Sequence, residues 1–316
     1  MSRSFFDAAA YGGEGWQPRT TSTRQELGDL WGACGQNSEW AQLKTVLLHR
    51  PGPELLVEDP DAAQLLAQVD LSRLQAQHDA MARAYADAGV TVHYVKPDIP
   101  PSPNLMFVAD LMWMTPEGAI LARPASRVRA GEERFIARRL AALGVPILRS
   151  VHGGATFEGA DAIWLSPDGV LVADGLRTNP AGRAQVTATL AEMDIGVVPV
   201  GLPYGAMHLM GSLRVVDRDL AIAWPGRVPF AAVQALREHG VAVHFLPDEE
   251  ETVRGFALNF VTLGPRRILM PAGNPITQAF YETLGVECVT VAVDELTLAA
   301  GGIGCLTGVL ERELID

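Results

Sequence analysis

Four stretches that are otherwise apolar or rich in glycine hold polar residues, and the residue types suit one chemistry. Cys305 lies in Gly301-Gly302-Ile303-Gly304-Cys305-Leu306-Thr307-Gly308-Val309-Leu310. The glycines let backbone run close to a ligand, and the residues after the cysteine read as a short buried strand that would hold the thiol rigidly. A free cysteine is most often a small buried apolar residue, so a nucleophile needs a histidine and a carboxylate from elsewhere in the chain. Asp110 follows the apolar run Leu105-Met106-Phe107-Val108-Ala109, where a capping or turn aspartate is the plain alternative. Glu158 and Asp161 stand in Phe157-Glu158-Gly159-Ala160-Asp161, and His208 in Tyr204-Gly205-Ala206-Met207-His208-Leu209-Met210-Gly211. Charge inside apolar sequence is expensive unless it has partners or a purpose.

Together the four fit attack on a flat cationic carbon. A guanidinium offers N–H donors in a fixed fork, which carboxylates such as Asp110 and Glu158 accept. Its carbon is a poor electrophile, so the attacking sulfur must be a thiolate and the departing nitrogen must receive a proton. A histidine can give that proton and afterwards act as the base that activates water. No metal or cofactor is required for this chemistry.

The elements that would position these groups recur. Leu43 to His49 reads as a strand, Asp61 to Ala88 has helical spacing, and Val90 to Val95 is a strand again. A second unit runs from Leu105–Val108 through Ala119–Leu121, a helix over Gly131 to Leu143 and a strand from Val145 to Leu148. The third has Ala162–Leu165, the turn Ser166-Pro167-Asp168-Gly169, Val170–Val172, a helix from Asn179 to Met193, and Gly196–Val200. The fourth pairs Ser212–Val216 with Leu220–Trp224, then a helix Pro229–His239 and the strand Val241–Leu246. The fifth has Ala257–Leu263, the turn Gly264-Pro265-Arg266, Arg267–Met270, a helix Pro275–Leu284 and Glu287–Val293. Hairpin, helix and strand repeated every 40 to 50 residues or so close most simply into a ring, with polar groups at the hub supplied by equivalent loops. The alternative, a doubly wound sheet, expects single strands between helices rather than hairpins. Residues 1 to 40 show no clear period and read as an extension over the body, leaving 41 to 316 as one α/β catalytic domain.

Composition narrows the setting. At 316 residues, 48% hydrophobic and 20% charged, the chain is globular, and no apolar run approaches the roughly 20 residues of a membrane span. The N-terminus lacks the apolar stretch of a signal peptide, which points to the cytoplasm. Cys34, Cys288 and Cys305 are far apart, which suits a reducing compartment and argues against disulfides and structural zinc. A net charge of −12 argues against nucleic acid. The expected partner is a small guanidino compound; a homodimer is left open.

The ordered set Phe107-Val108-Ala109-Asp110, Arg123-Pro124, Arg129-Ala130-Gly131-Glu132, Glu158-Gly159-Ala160-Asp161, Arg177-Thr178-Asn179, His208-Leu209 and Gly301 to Cys305 resembles the guanidine-modifying superfamily with the pentein fold. Within it the spacing looks most like dimethylarginine dimethylaminohydrolase, with arginine deiminases and amidinotransferases more distant. The resemblance implies a five-unit α/β propeller around a pseudo-fivefold axis. It also implies Cys305 as nucleophile, His208 as acid and base with Glu158 beside it, and Asp110 gripping the guanidinium. Arg129 and Arg177 fall where the family holds the substrate carboxylate. Asp161 is counted with the binding residues, although holding its loop suits it better. Where deiminases and amidinotransferases place a second aspartate, two residues after the histidine, this chain has Met210. Ala109 and Gly304 stand where the family often has a charged and a larger residue. These departures suggest a wider or less polar pocket that suits an alkylated substrate nitrogen or a different substrate end. The expected activity is hydrolysis of an arginine-like, N-substituted or unsubstituted, guanidino acid through a thiouronium intermediate. An amidinotransferase and a non-catalytic binding protein of the same fold are the alternatives.

Overall fold

The structure is a computed structural model and describes residues 4–315. The repeat is present: among the described residues five three-stranded sheets are arranged as blades, four of them an antiparallel hairpin whose second strand pairs in parallel with a third, and the fifth with the same antiparallel and parallel pairings but its inner strand taken from far along the chain. In chain order these are β1 (Leu43–Leu48), helix α1 (Leu71–Asp87) and β2 (Thr91–Tyr94), then β3 (Met112–Thr115), β4 (Gly118–Leu121), α2 (Glu133–Ala142) and β5 (Ile147–Ser150). They continue with β6 (Ala162–Ser166), β7 (Gly169–Asp174), α3 (Pro180–Ala191) and β8 (Gly196–Gly201), then β9 (Leu213–Asp217), β10 (Leu220–Ala223), α4 (Phe230–Glu238) and β11 (Ala242–Phe245). The last blade has β12 (Val261–Gly264), β13 (Arg267–Pro271), α5 (Pro275–Thr283) and β14 (Glu287–Val291), and the chain ends with β15 (Gly308–Arg312). This is the pentein-type α/β propeller that the sequence repeat implies.

The ring closes because β15 pairs antiparallel with β1, Val46 lying opposite Val309 and Leu47 opposite Gly308. The first blade therefore takes its inner strand from the C-terminus. Inner strands β3, β6, β9, β12 and β15 all contribute residues to one central cavity. Middle strands are buried nearly throughout, whereas third strands alternate exposed and half-buried. That gradient follows from packing each blade between its neighbours, with helices outside.

Local chemistry sets the ends of the elements. Asp70 caps α1 by accepting from Arg73 N at 3.1 Å, and Asn179 caps α3 by accepting from Gly182 N at 2.8 Å, with Pro180 in the first turn. Four expectations are corrected here. The helical pattern from Asp61 begins to form helix only at Leu71, because Gln64 sits at φ 63 and Asp70 starts the helix afresh. Leu66 and Ala67 N–H groups instead donate to Leu298 O. The apolar run Leu105–Val108 is not a strand but part of two 3-10 turns, Pro103–Met106 and Val108–Asp110, ahead of β3. A run buried on every side carries no period that separates the two. The strand near Val145 starts two residues later, at Ile147. Cys305 lies in a helical turn, Ile303–Leu306, and the strand begins only at Gly308.

The segment before β1 is tied into the ring closure. Gly35 N donates to Leu310 O at 2.9 Å, Arg312 N donates to Gly35 O at 2.8 Å, and Gln36 and Glu39 line the central cavity.

Gly159, in the turn before β6, is enclosed by the carbonyls of Met112 and Ala109, and a Cβ there would collide with both. Gly159→Ala should cost about 1–3 kcal/mol, as overpacking against backbone does. A lowered urea midpoint measures it, against an unchanged midpoint for Gly154→Ala, where a Cβ would meet nothing within 4 Å.

Candidate active site

Each blade delivers one polar side chain at the same structural position, in or just before the short turn that leads into its inner strand. Asp110 ends the turn before β3, Glu158 precedes the turn before β6, and His208 precedes the turn before β9. Cys305 lies in the turn before β15. The remaining blade supplies Asn259, just before β12, which the sequence reading did not single out. It sits in Phe256-Ala257-Leu258-Asn259-Phe260, a polar residue in an apolar run like Asp110, and that was the available signal.

These groups converge. Asp110, Arg129, Arg177, His208 and Cys305 line a single small cavity together with Phe107, Asn104 and Gln64. Glu158 and Asp161 are fully buried behind it. His208 Nε2 lies 2.7 Å from Glu158 Oε2 and 3.8 Å from Asp110 Oδ1. Arg177 Nη1 is 3.6 Å from Glu158 Oε1. Arg129 is more committed: Nη1 donates to Asp110 Oδ2 at 2.5 Å, Nε to Glu132 Oε2 at 2.8 Å, and Nη2 to Asn104 O and Phe107 O. Little of its fork remains for a ligand. Asp161 is also spoken for, accepting from Thr178 Oγ1 at 2.7 Å and Leu209 N at 3.1 Å. It joins the Arg177 loop to the His208 loop and does not line the cavity.

The sulfur is held from one side. Asn259 Nδ2 donates to Cys305 Sγ at 3.0 Å, while its Oδ1 accepts from Gly304 N at 2.7 Å and Cys305 N at 3.3 Å. Asp110 Oδ1, by contrast, is buried with no hydrogen-bond donor. A buried carboxylate oxygen without a donor costs free energy unless a ligand supplies one.

The charges bias one another. Burial opposes a charged His208, but Asp110, the hydrogen bond to Glu158 and the nearby Asp161 outweigh it and raise its pKa to about 9. It is an imidazolium at neutral pH. Burial pushes Glu158 up, yet the His208 hydrogen bond and the charges of His208, Arg129 and Arg177 win and hold it below the usual carboxylate range. Burial first, and then the charge of Asp110, raise the Cys305 thiol, with Asn259 and Arg214 pulling the other way. Burial raises Asp161 to about 6 and Glu132 to about 7. Asp110, Glu158 and His208 also offer ligand atoms within 4.8 Å of one another, as a metal site would. Here the Arg129 guanidinium already reaches two of the three, 2.5 Å from Asp110 and 3.9 Å from Glu158.

The three departures from the family pattern need a different account from the one their sequence positions suggested. Met210, Ala109 and Gly304 line the central cavity under the turns, not the cavity that holds Cys305, His208 and Asp110. Gly304 leaves room for Arg214, whose guanidinium a Cβ there would strike.

No family model matches the chain. The dimethylarginine dimethylaminohydrolase of Streptomyces coelicolor is 29% identical over 278 residues, covering 86% of this chain and 99% of that one. A structure of dimethylarginine dimethylaminohydrolase from Pseudomonas aeruginosa, complexed with citrulline, superposes with a TM-score of 0.72 over 86% of this chain and all of that one, at 23% identity. An amidinotransferase of saxitoxin biosynthesis from Microseira wollei gives 0.73 over 90% of this chain and 99% of that one, at 14% identity. The chain has the pentein fold and is similar in sequence to dimethylarginine dimethylaminohydrolases. Among the described residues, no helix is long and apolar enough to cross a membrane.

The raised pKa of His208 has a thermodynamic sign. A group bound more tightly to its proton when folded stabilises the fold below its unfolded pKa, about 6.5, and that contribution is lost as pH rises through about 9. The melting-temperature gap between the wild type and His208→Gln should be widest near pH 6 and narrow by pH 10; a gap independent of pH would contradict the ion pair.

Proposed function

We propose that this protein is a cysteine-dependent hydrolase of the guanidino group of an arginine-like acid, forming a ureido product and an amine or ammonia. The observation that carries the reading is the buried, donorless oxygen of Asp110 in the cavity that Cys305 and His208 also line. A guanidinium N–H is the donor that matches it. The names of the relatives support the same substrate class.

Cys305 is the nucleophile. Burial and the charge of Asp110 raise its thiol, and a bound guanidinium both offsets the charge of Asp110 and brings a positive charge to the sulfur, favouring the thiolate. Its proton goes to solvent, because His208 is already charged. Sulfur then attacks the central carbon, and His208 gives its proton to the departing nitrogen. Now neutral, His208 takes a proton from water, whose oxygen attacks the thiouronium carbon; the C–S bond breaks and the ureido product leaves. Glu158 keeps His208 charged for the first half. Arg177 receives the substrate carboxylate, since its only close charge partner among the described residues is Glu158. Arg129 holds Asp110 in place instead of taking the carboxylate with Arg177, because its donors are occupied. Asp161 pins the two loops together.

Three results test this. Cys305→Ser should lose turnover of arginine and methylated arginines, followed as ureido product, by at least about a thousandfold while still binding them; turnover at the parent rate would remove the mechanism. Arg177→Ala should raise KM for arginine far more than for agmatine, which has no carboxylate. The kcat/KM profile should fall above about pH 9 as His208 loses its proton, and Glu158→Gln should move that limb to lower pH. Running the assay with added amines separates hydrolysis from amidine transfer by product.

A further inference from the structure

Cys305 and His208 line a second cavity, of about 290 Å³, on the side away from Asp110 and Arg177. Its walls are mostly apolar: Met207, Trp224, Val253, Phe256 and Leu258, with Leu66 at the rim. Arg227 borders it, but its guanidinium stacks over Trp224 and donates to Gly205 O. Among the described residues no carboxylate lines it, so the polar end of an amino acid finds its partners in the first cavity. A guanidinium lying against Asp110 with its carboxylate toward Arg177 turns its far nitrogen toward this apolar space. A methyl group would fill little of it.

We propose that this second cavity receives the substituent of the departing nitrogen, so that the chain prefers guanidino acids N-substituted with an apolar group larger than methyl, such as butyl or benzyl. The proposal rests on the hydrolase reading above. Sulfur bonds to the guanidino carbon, the bond from that carbon to the substituted nitrogen breaks, and the nitrogen leaves with the His208 proton as the alkyl or arylalkyl amine. Water then releases the ureido acid. Apolar burial would make the larger groups better substrates.

The test measures kcat/KM for arginine and its N-methyl, N-butyl and N-benzyl derivatives, following amine and ureido product together. The butyl or benzyl compound should exceed the methyl by tenfold or more, and Val253→Trp should reverse that order by filling the cavity. A higher kcat/KM for arginine or its methyl derivative in the parent enzyme sinks the proposal and leaves the hydrolase reading standing. Turnover of none of the four sinks both.

A separate observation concerns Arg214, on β9. Its Nε and Nη2 are enclosed without acceptors, and it lies against Gly304, the residue before the nucleophile. Glu39 and Arg312 share the central cavity with it, Tyr85 and Tyr281 are further titratable neighbours, and its guanidinium lies over the Phe260 ring. Asp110 and the Asn259 amide face the sulfur from the other elements. We infer that Arg214 is a positioning residue, whose underpaired cation, admitted by the missing side chain at Gly304, favours the Cys305 thiolate from behind. The rate of Cys305 alkylation by iodoacetamide, read by peptide mass spectrometry against pH, tests it. Arg214→Met should move the midpoint up by about one pH unit, Arg214→Lys should restore part of it, and Glu39→Gln should move it down. Unchanged midpoints in folded variants overturn the inference, and Glu39→Gln carries the test if the arginine variants do not fold.

Discussion

Glu158 is out of contact with solvent, and a carboxylate there stays charged only where opposite charge and donors reach it. His208 at 2.7 Å, Ala125 N at 3.1 Å, Arg177 at 3.6 Å and Arg129 at 3.9 Å meet that requirement. Removing one member leaves the others buried and unpaired, so the set behaves as one unit. The site geometry follows from it: His208 is held charged, Arg129 is drawn onto Asp110, and one oxygen of Asp110 is left facing the cavity.

That network exists only because five blades bring their entry turns to one end of a hub. No two of Asp110, Glu158, His208, Asn259 and Cys305 come from the same blade. The ring must therefore be closed before the site exists, and it is closed by β15, which directly follows the turn that holds Cys305. Stability of the closure and placement of the sulfur are one problem. Thr307 shows the link, bonding Ile303 O inside the turn and meeting the buried Tyr85 hydroxyl of α1 at 2.8 Å.

Two cavities of opposite character share the sulfur and the imidazole as their common wall. One is charged, with Asp110, Arg129 and Arg177; the other is mostly apolar. The guanidino acid of the proposed function, held at that boundary, would have its two ends sorted by solvation, since charge is poorly hosted on one side and apolar surface gains on the other.

The sequence by itself determined the repeat, because hairpin turns such as Ser166-Pro167-Asp168-Gly169 and alternating apolar strands and helices are written in local chemistry. It also marked Asp110, Glu158, His208 and Cys305, since polar residues inside apolar runs are costly and stand out. Asn259 bore the same mark and was passed over. Only the tertiary structure decided that Arg129 is consumed by Asp110 and Glu132 rather than free for a ligand, that Asp161 ties two loops, and that Met210, Ala109 and Gly304 face the hub. Those outcomes depend on which groups compete for the same donors once water is gone. Partners brought together from 20 to 50 residues apart are set by ring closure, not by spacing along the chain.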